Sequence, residues 1–166
     1  MKKLIIFLLM MVPLGIFAQE TKIAVVNTQA VVEAMPEFAE MQKQIADMQK
    51  KYQDEMKIME EEYQKKYSAF IAQQDSLTEN IKVRRMQELQ DMEQRLQNFV
   101  QITQQDFQKK QQELFIPIQD KVRGAIKAVG DEKGYTYVIE PQIVIYTGSG
   151  AIDATDFVKT KLGLTK

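Results

Sequence analysis

The chain has no cysteine and no histidine among its 166 residues. Without cysteine there is no disulfide framework and no thiol nucleophile. Without histidine the usual general base is missing, and with both gone so are the commonest zinc ligands. No Gly-Lys-Ser/Thr phosphate loop occurs either. Carboxylate chemistry stays possible, but most enzyme classes have lost their parts, so no catalytic residue, metal or cofactor is expected. Concentrated charge is lacking too, since 22 basic residues face 23 acidic ones. That balance argues against nucleic acid, which needs a basic footprint. Glycine and proline are scarce in an uneven way: neither occurs between residues 37 and 116.

The N-terminus has an export layout. Lys2 and Lys3 precede the unbroken apolar run Leu4 to Val12, then Pro13 and Gly15, and Ala18 stands before polar Gln19 and Glu20. This order predicts a signal peptide, residues 1–18, cut after Ala18. A membrane anchor would need about 20 apolar residues without helix breakers. A lipid-anchored form would need a cysteine after the run. Removal of Lys2 and Lys3 leaves 20 basic and 23 acidic residues, a net charge of −3. The remaining 148 residues, 166 less 18, suffice for one modest domain.

Three compositional regions follow. Lys22 to Asn27 is a short β-branched run that predicts a buried strand, and Thr28 to Ala34 a short helix stopped by Pro36. Residues 37 to about 116 are dominated by Gln, Glu, Lys and Met, good helix formers. Ile45, Met48, Tyr52, Met56, Met59, Tyr63, Tyr67 and Phe70 are spaced 3, 4, 4, 3, 4, 4, 3, an 11-residue repeat. Such a repeat favours nearly straight packing. A second stripe runs through Leu77, Ile81, Met86, Leu89, Met92, Leu96, Val100, Thr103, Phe107, Leu114 and Ile118.

Two stripes of similar length predict an antiparallel hairpin turning between Ala72 and Thr78. Asp75 or Ser76 would be the N-cap, with Glu79 completing a capping box. Each arm would reach about 57 Å at 1.5 Å per residue. Pro117 should kink the returning helix, which ends near Gly130 or Gly134. Residues 135–140 and 143–146 then read as two strands of a hairpin around Pro141-Gln142. Asp153 or Thr155 would cap a last helix. The class is therefore α+β: a long helical hairpin (residues 37–116) projecting from a small strand-containing body, residues 19–36 and 117–166.

The order of these pieces resembles the Skp/OmpH family of periplasmic chaperones for outer-membrane proteins. The resemblance lies in Ile23-Ala24-Val25-Val26-Asn27, Met35-Pro36-Glu37 and the return segment Pro117-Ile118, Lys121-Val122 and Ala125-Ile126. It continues through Glu132-Lys133-Gly134-Tyr135 and the closing Ile152-Asp153-Ala154-Thr155. It implies a homotrimer in the periplasm whose hairpins surround a cavity and hold unfolded outer-membrane proteins without ATP. The strands give an independent reason for self-association. So few short strands rich in Val, Ile and Tyr cannot bury both faces in one chain, and Ile23, Val25, Val138, Ile143 and Ile145 are the expected trimer contacts.

Most stripe residues should form the seam between the arms. The seam runs out toward the tip, so client contact is expected at Tyr63, Tyr67, Phe70, Ile71, Leu77, Ile81 and Met86. Met and Tyr suit surfaces that take many sequences. Lys65, Lys66, Lys82, Arg84 and Arg85 oppose only Asp75 and Glu79 between residues 63 and 86. That basic tip is either a site for acidic clients, lipopolysaccharide or anionic lipid, or an ordinary solvated helix face. The net acidic balance departs from the basic members of the family. Another reading of the hairpin is a coiled-coil adaptor of the envelope with a folded partner.

Overall fold

The computed structural model describes residues 21–164, so the expected signal peptide, residues 1–18, lies outside the described residues. Strand β1 (Ile23–Val25) leads into α1 (Thr28–Glu33), α2 (Pro36–Gln73) and α3 (Glu79–Lys133). Strand β2 (Tyr137–Ile139), strand β3 (Ile152–Asp153) and helix α4 (Thr155–Lys161) complete the chain. The architecture is α+β, a long helical hairpin on a small three-stranded sheet.

Helix α2 has 38 residues and α3 has 55. Pro36 sits in the first turn of α2, where its missing N–H costs nothing. The turn falls where the sequence placed it, as a 3₁₀ segment Gln74–Ser76 between the arms. Its capping differs from expectation. Thr78 is the N-cap of α3, without a side-chain bond. The Ser76 hydroxyl instead donates to the Gln73 carbonyl at 2.8 Å, closing the end of α2. Helix α3 passes through Pro117 and stops at Gly134, whose φ of 66° is the left-handed conformation that favours glycine.

The sheet order is β2-β1-β3, and both pairings with the central strand are parallel. Parallel neighbours need a crossover. Here the hairpin itself is the crossover from β1 to β2. The expected strand hairpin around Pro141-Gln142 does not form. Pro141–Ile143 is a 3₁₀ turn, and residues 144–146 pair with no strand. The reason is positional: the free side of β1 goes to Ile152–Asp153, leaving Ile145 fully exposed. Asp153, expected as a candidate helix cap, thus also forms the third strand with Ile152.

The core sits under this sheet. Ala24, Val26 and Val31 meet Ile118, Val122, Ala125 and Val129 of α3 and Ala154 and Val158 beside them. Long-range hydrogen bonds tie the pieces. The Asn27 N–H donates to Thr155 Oγ1 at 3.0 Å, and the Asn27 side chain accepts from Ala30 N–H at 2.9 Å as the cap of α1. The Glu140 carboxylate accepts from Thr28 N–H at 3.2 and 3.3 Å. Asp153 Oδ1 accepts from Thr155 N–H at 2.9 Å, so Asp153 caps α4 from just outside it, while Ala154 holds the N-cap position. Thr155 hydrogen bonding holds the Asp153 carboxyl below its ordinary value.

Candidate functional site: the faces of the hairpin

The arms pair through a ladder of cross-helix contacts. Lys121 Nζ donates to Glu37 at 2.5 Å at the root, and the Tyr52 hydroxyl donates to Asp106 at 3.2 Å midway. The Tyr63 hydroxyl donates to Glu93 at 2.5 Å, and Lys66 pairs with Glu88 nearer the tip. Each step along α2 is matched by a step back along α3, which fixes an antiparallel register. The polar rungs have electrostatic consequences. Lys121 holds the Glu37 carboxyl below its ordinary value, and the Glu93 carboxylate pushes the Tyr63 phenol up. All of them are solvent-exposed, so their contribution to stability is small.

Apolar contact between the rungs carries the pairing. Met41, Leu89 and Met92 are buried, whereas Ile45, Met48, Tyr52, Met56, Met59, Tyr63 and Phe70 are half-buried. A two-helix layer cannot cover them fully. Phe99 belongs to this seam and escaped the sequence reading, which counted four residues from Leu96 to Val100. The ring of Phe99 packs edge-on against Tyr52 at 6.0 Å. A count of three from Leu96 would have found it, as it then leads by four to Thr103. Val100 is displaced from the seam and 41% exposed.

The tip residues do not act as one group. Phe70, Leu77 and Ile81 are half-buried, whereas Tyr67, Ile71 and Met86 are exposed. Tyr63 and Tyr67 stack on each other at 6.1 Å. The basic cluster is also partly spent within the fold. Lys66 is taken up by Glu88, two residues beyond the segment counted from sequence, and Arg85 donates to Gln73 Oε1 at 2.9 Å. The Lys66 hydrogen bond, with Arg84 and Arg85 beyond it, holds the Glu88 carboxyl below its ordinary value. Lys65, Lys82 and Arg84 remain as the surplus.

On the body, Val25 and Val138 are half-buried and Ile23 is exposed. Ile143 is 76% exposed, and Ile145, Tyr146 and Tyr137 are also uncovered. The single chain leaves these large apolar side chains in water.

A groove of about 710 Å³ runs between the arms at mid-length, lined by Tyr52, Met56, Phe99, Val100, Thr103 and Phe107 with glutamines beside them. Among the described residues, no group of three or more Asp or Glu side chains gathers as metal ligands. No helix there is long and apolar enough to cross a membrane.

Residues 22–162 match the family model described as outer membrane protein, OmpH-like. Among curated proteins none matches the sequence closely enough to count as a relative. A crystal structure from Caulobacter crescentus CB15, named as a candidate outer membrane chaperone of OmpH-like type, superposes with a TM-score of 0.75. The two share 13% identity over 86% of this chain and 82% of the other, a likeness of fold.

Proposed function

Because the chain belongs to the OmpH-like outer membrane protein family, we propose that it is a periplasmic holdase. In this reading three copies join through the body, and their hairpins enclose a space where unfolded outer-membrane proteins are kept from aggregating. No ATP is needed, since the work is passive sequestration. Export by cleavage after Ala18 belongs to the same proposal.

The observation that carries it is the hairpin's uncovered apolar surface. Tyr67, Ile71, Met86 and Val100 are exposed on arms that have no third layer. Flexible Met and amphipathic Tyr side chains favour many weak contacts over one specific fit. Ile23, Tyr137, Ile143, Ile145 and Tyr146 support self-association, because one chain leaves them in water. The residual charges Lys65, Lys82 and Arg84 support a secondary attraction to acidic clients, lipopolysaccharide or anionic lipid. The pairing of Lys66 weakens that part of the reading. A net charge of −3 after cleavage disfavours nucleic acid as a partner.

The test is dilution of a urea-unfolded outer-membrane barrel protein into buffer with residues 19–166. Suppressed light scattering at near-stoichiometric trimer is expected. Unchanged scattering would overturn the holdase reading and leave a structural spacer of the envelope.

A further inference from the structure

The mid-arm groove adjoins a second one toward the body. The second, of about 650 Å³, is lined by Phe38, Met41, Ile45 and Phe115 among others, and the two share Gln49. Together they span α2 from Phe38 to Glu60, about 33 Å at 1.5 Å per residue. The floor is apolar and aromatic. The edges are mostly amide: Gln42, Gln49 and Gln53 on α2, and Gln104, Gln108 and Gln111 on α3. Lys57 and Glu60 are the only charged residues lining either groove, and they cancel.

The other side of the hairpin differs. Lys66, Arg84, Arg85 and Glu88 line a charged recess near the tip there. Ile102, 55% exposed, does not line either groove. It follows Val100 by two residues, about 200° round the helix.

Charge, length and edge chemistry together define an occupant. A neutral lining gives no hold on a phosphate or an acidic tail. Glutamine amides both donate and accept, so they satisfy peptide groups and polar side chains without reading sequence. An apolar floor between amide edges complements a segment with one apolar and one polar face. About 33 Å of extended chain is about ten residues at 3.3 Å each. That equals the about 9–11 residues of one transmembrane β-strand, whose side chains alternate apolar and polar.

We propose that this groove is the client-binding face, and that it takes one extended, alternating strand segment of an unfolded outer-membrane barrel at a time. The proposal rests on the holdase reading and sharpens it. It moves the principal client contact from the tip to the middle of the arm, with Met56, Phe99, Val100 and Phe107 under the apolar side chains of the segment.

Two substitutions on the same helix decide it. Val100→Lys and Ile102→Lys both alter exposed positions, and circular dichroism establishes that each retains wild-type helix content. Binding of a dye-labelled, urea-unfolded barrel protein should weaken about tenfold for Val100→Lys and stay within about twofold for Ile102→Lys. Equal effects of the two variants, with wild-type binding intact, would overturn the groove and leave the holdase reading standing. Absence of wild-type binding would overturn both.

Because the chain has no cysteine, single labels are available without background. A benzophenone on Gln104→Cys should cross-link the barrel protein, and one on Asn98→Cys, about 120° away from the seam on the other side, should not. Cross-linked client residues should fall in the alternating strands. Cross-links of equal yield from both positions, or spread evenly over client loops and strands, would contradict the assigned occupant.

Discussion

The arms and the body obey different rules. In the body, residues more than a hundred positions apart meet, as Asn27 does Thr155, and Ala24, Val31, Ala154 and Val158 lose all contact with water. In the arms, nearly every backbone bond is local to a helix, and most of the seam is half-exposed. The body thus has a true interior, yet a large apolar surface outside it. The arms have almost no interior, and their apolar side chains divide between mutual contact and an open groove. A hairpin built this way gives up stability at each position and leaves apolar surface open to solvent.

Substitutions should separate the two regions by size of effect. Val26→Asp would bury an unpaired charge in the body and cost at least about 3 kcal/mol. Val83→Asp on the exposed arm should stay within about 0.5 kcal/mol. Thermal unfolding followed by circular dichroism reads both, and similar losses would erase the contrast.

Leu89→Ala tests the seam. It should cost about 2 kcal/mol, the low end for a buried leucine, because a single layer can collapse around the gap. A loss as large as that of Val26→Asp would show that the arms pack as tightly as the body.

Smaller effects lie where the regions join. Gly134→Ala forces a Cβ into the left-handed conformation and should cost about 1 kcal/mol, measured by urea unfolding. Asp153→Ala should cost at most about 1 kcal/mol, since the carboxylate is solvent-exposed. The folded pKa of Asp153 is lowered from 3.8, so its contribution is present above that value and disappears as pH falls through the folded value. Urea unfolding of wild type and Asp153→Ala should therefore converge in strong acid. A gap that persists there would show that the charge is not the cause. Lys121→Gln at the arm root should cost less than about 0.5 kcal/mol, an exposed pair being screened.

The same contrast explains what could be read from sequence. The arms were legible because helix periodicity is local: Met41, Leu89 and Met92 lie on stripes that a 3–4 count finds, and the turn at Gln74–Ser76 follows from the polar break. Phe99 was missed because three and four are both permitted steps, and only the partner ring of Tyr52 chooses between them. The sheet was less legible. Ile143 to Tyr146 have strand composition, but pairing depends on what flanks β1, and Ile152–Asp153 is too short to carry a period of its own. The partner of Lys66 at the tip was not legible for a related reason, as Glu88 lies outside the local window yet opposite Lys66. The groove needs two helices at once, so neither stripe alone could disclose it.

The claim that joins the two regions is that the body's exposed Ile143, Ile145 and Tyr146 are covered by other copies, which brings three hairpins around one space. Light-scattering mass of residues 19–166 in solution tests it most directly. The account predicts three times the mass of one chain. A monomer at every concentration examined would contradict it, removing the completed body and the enclosed space together.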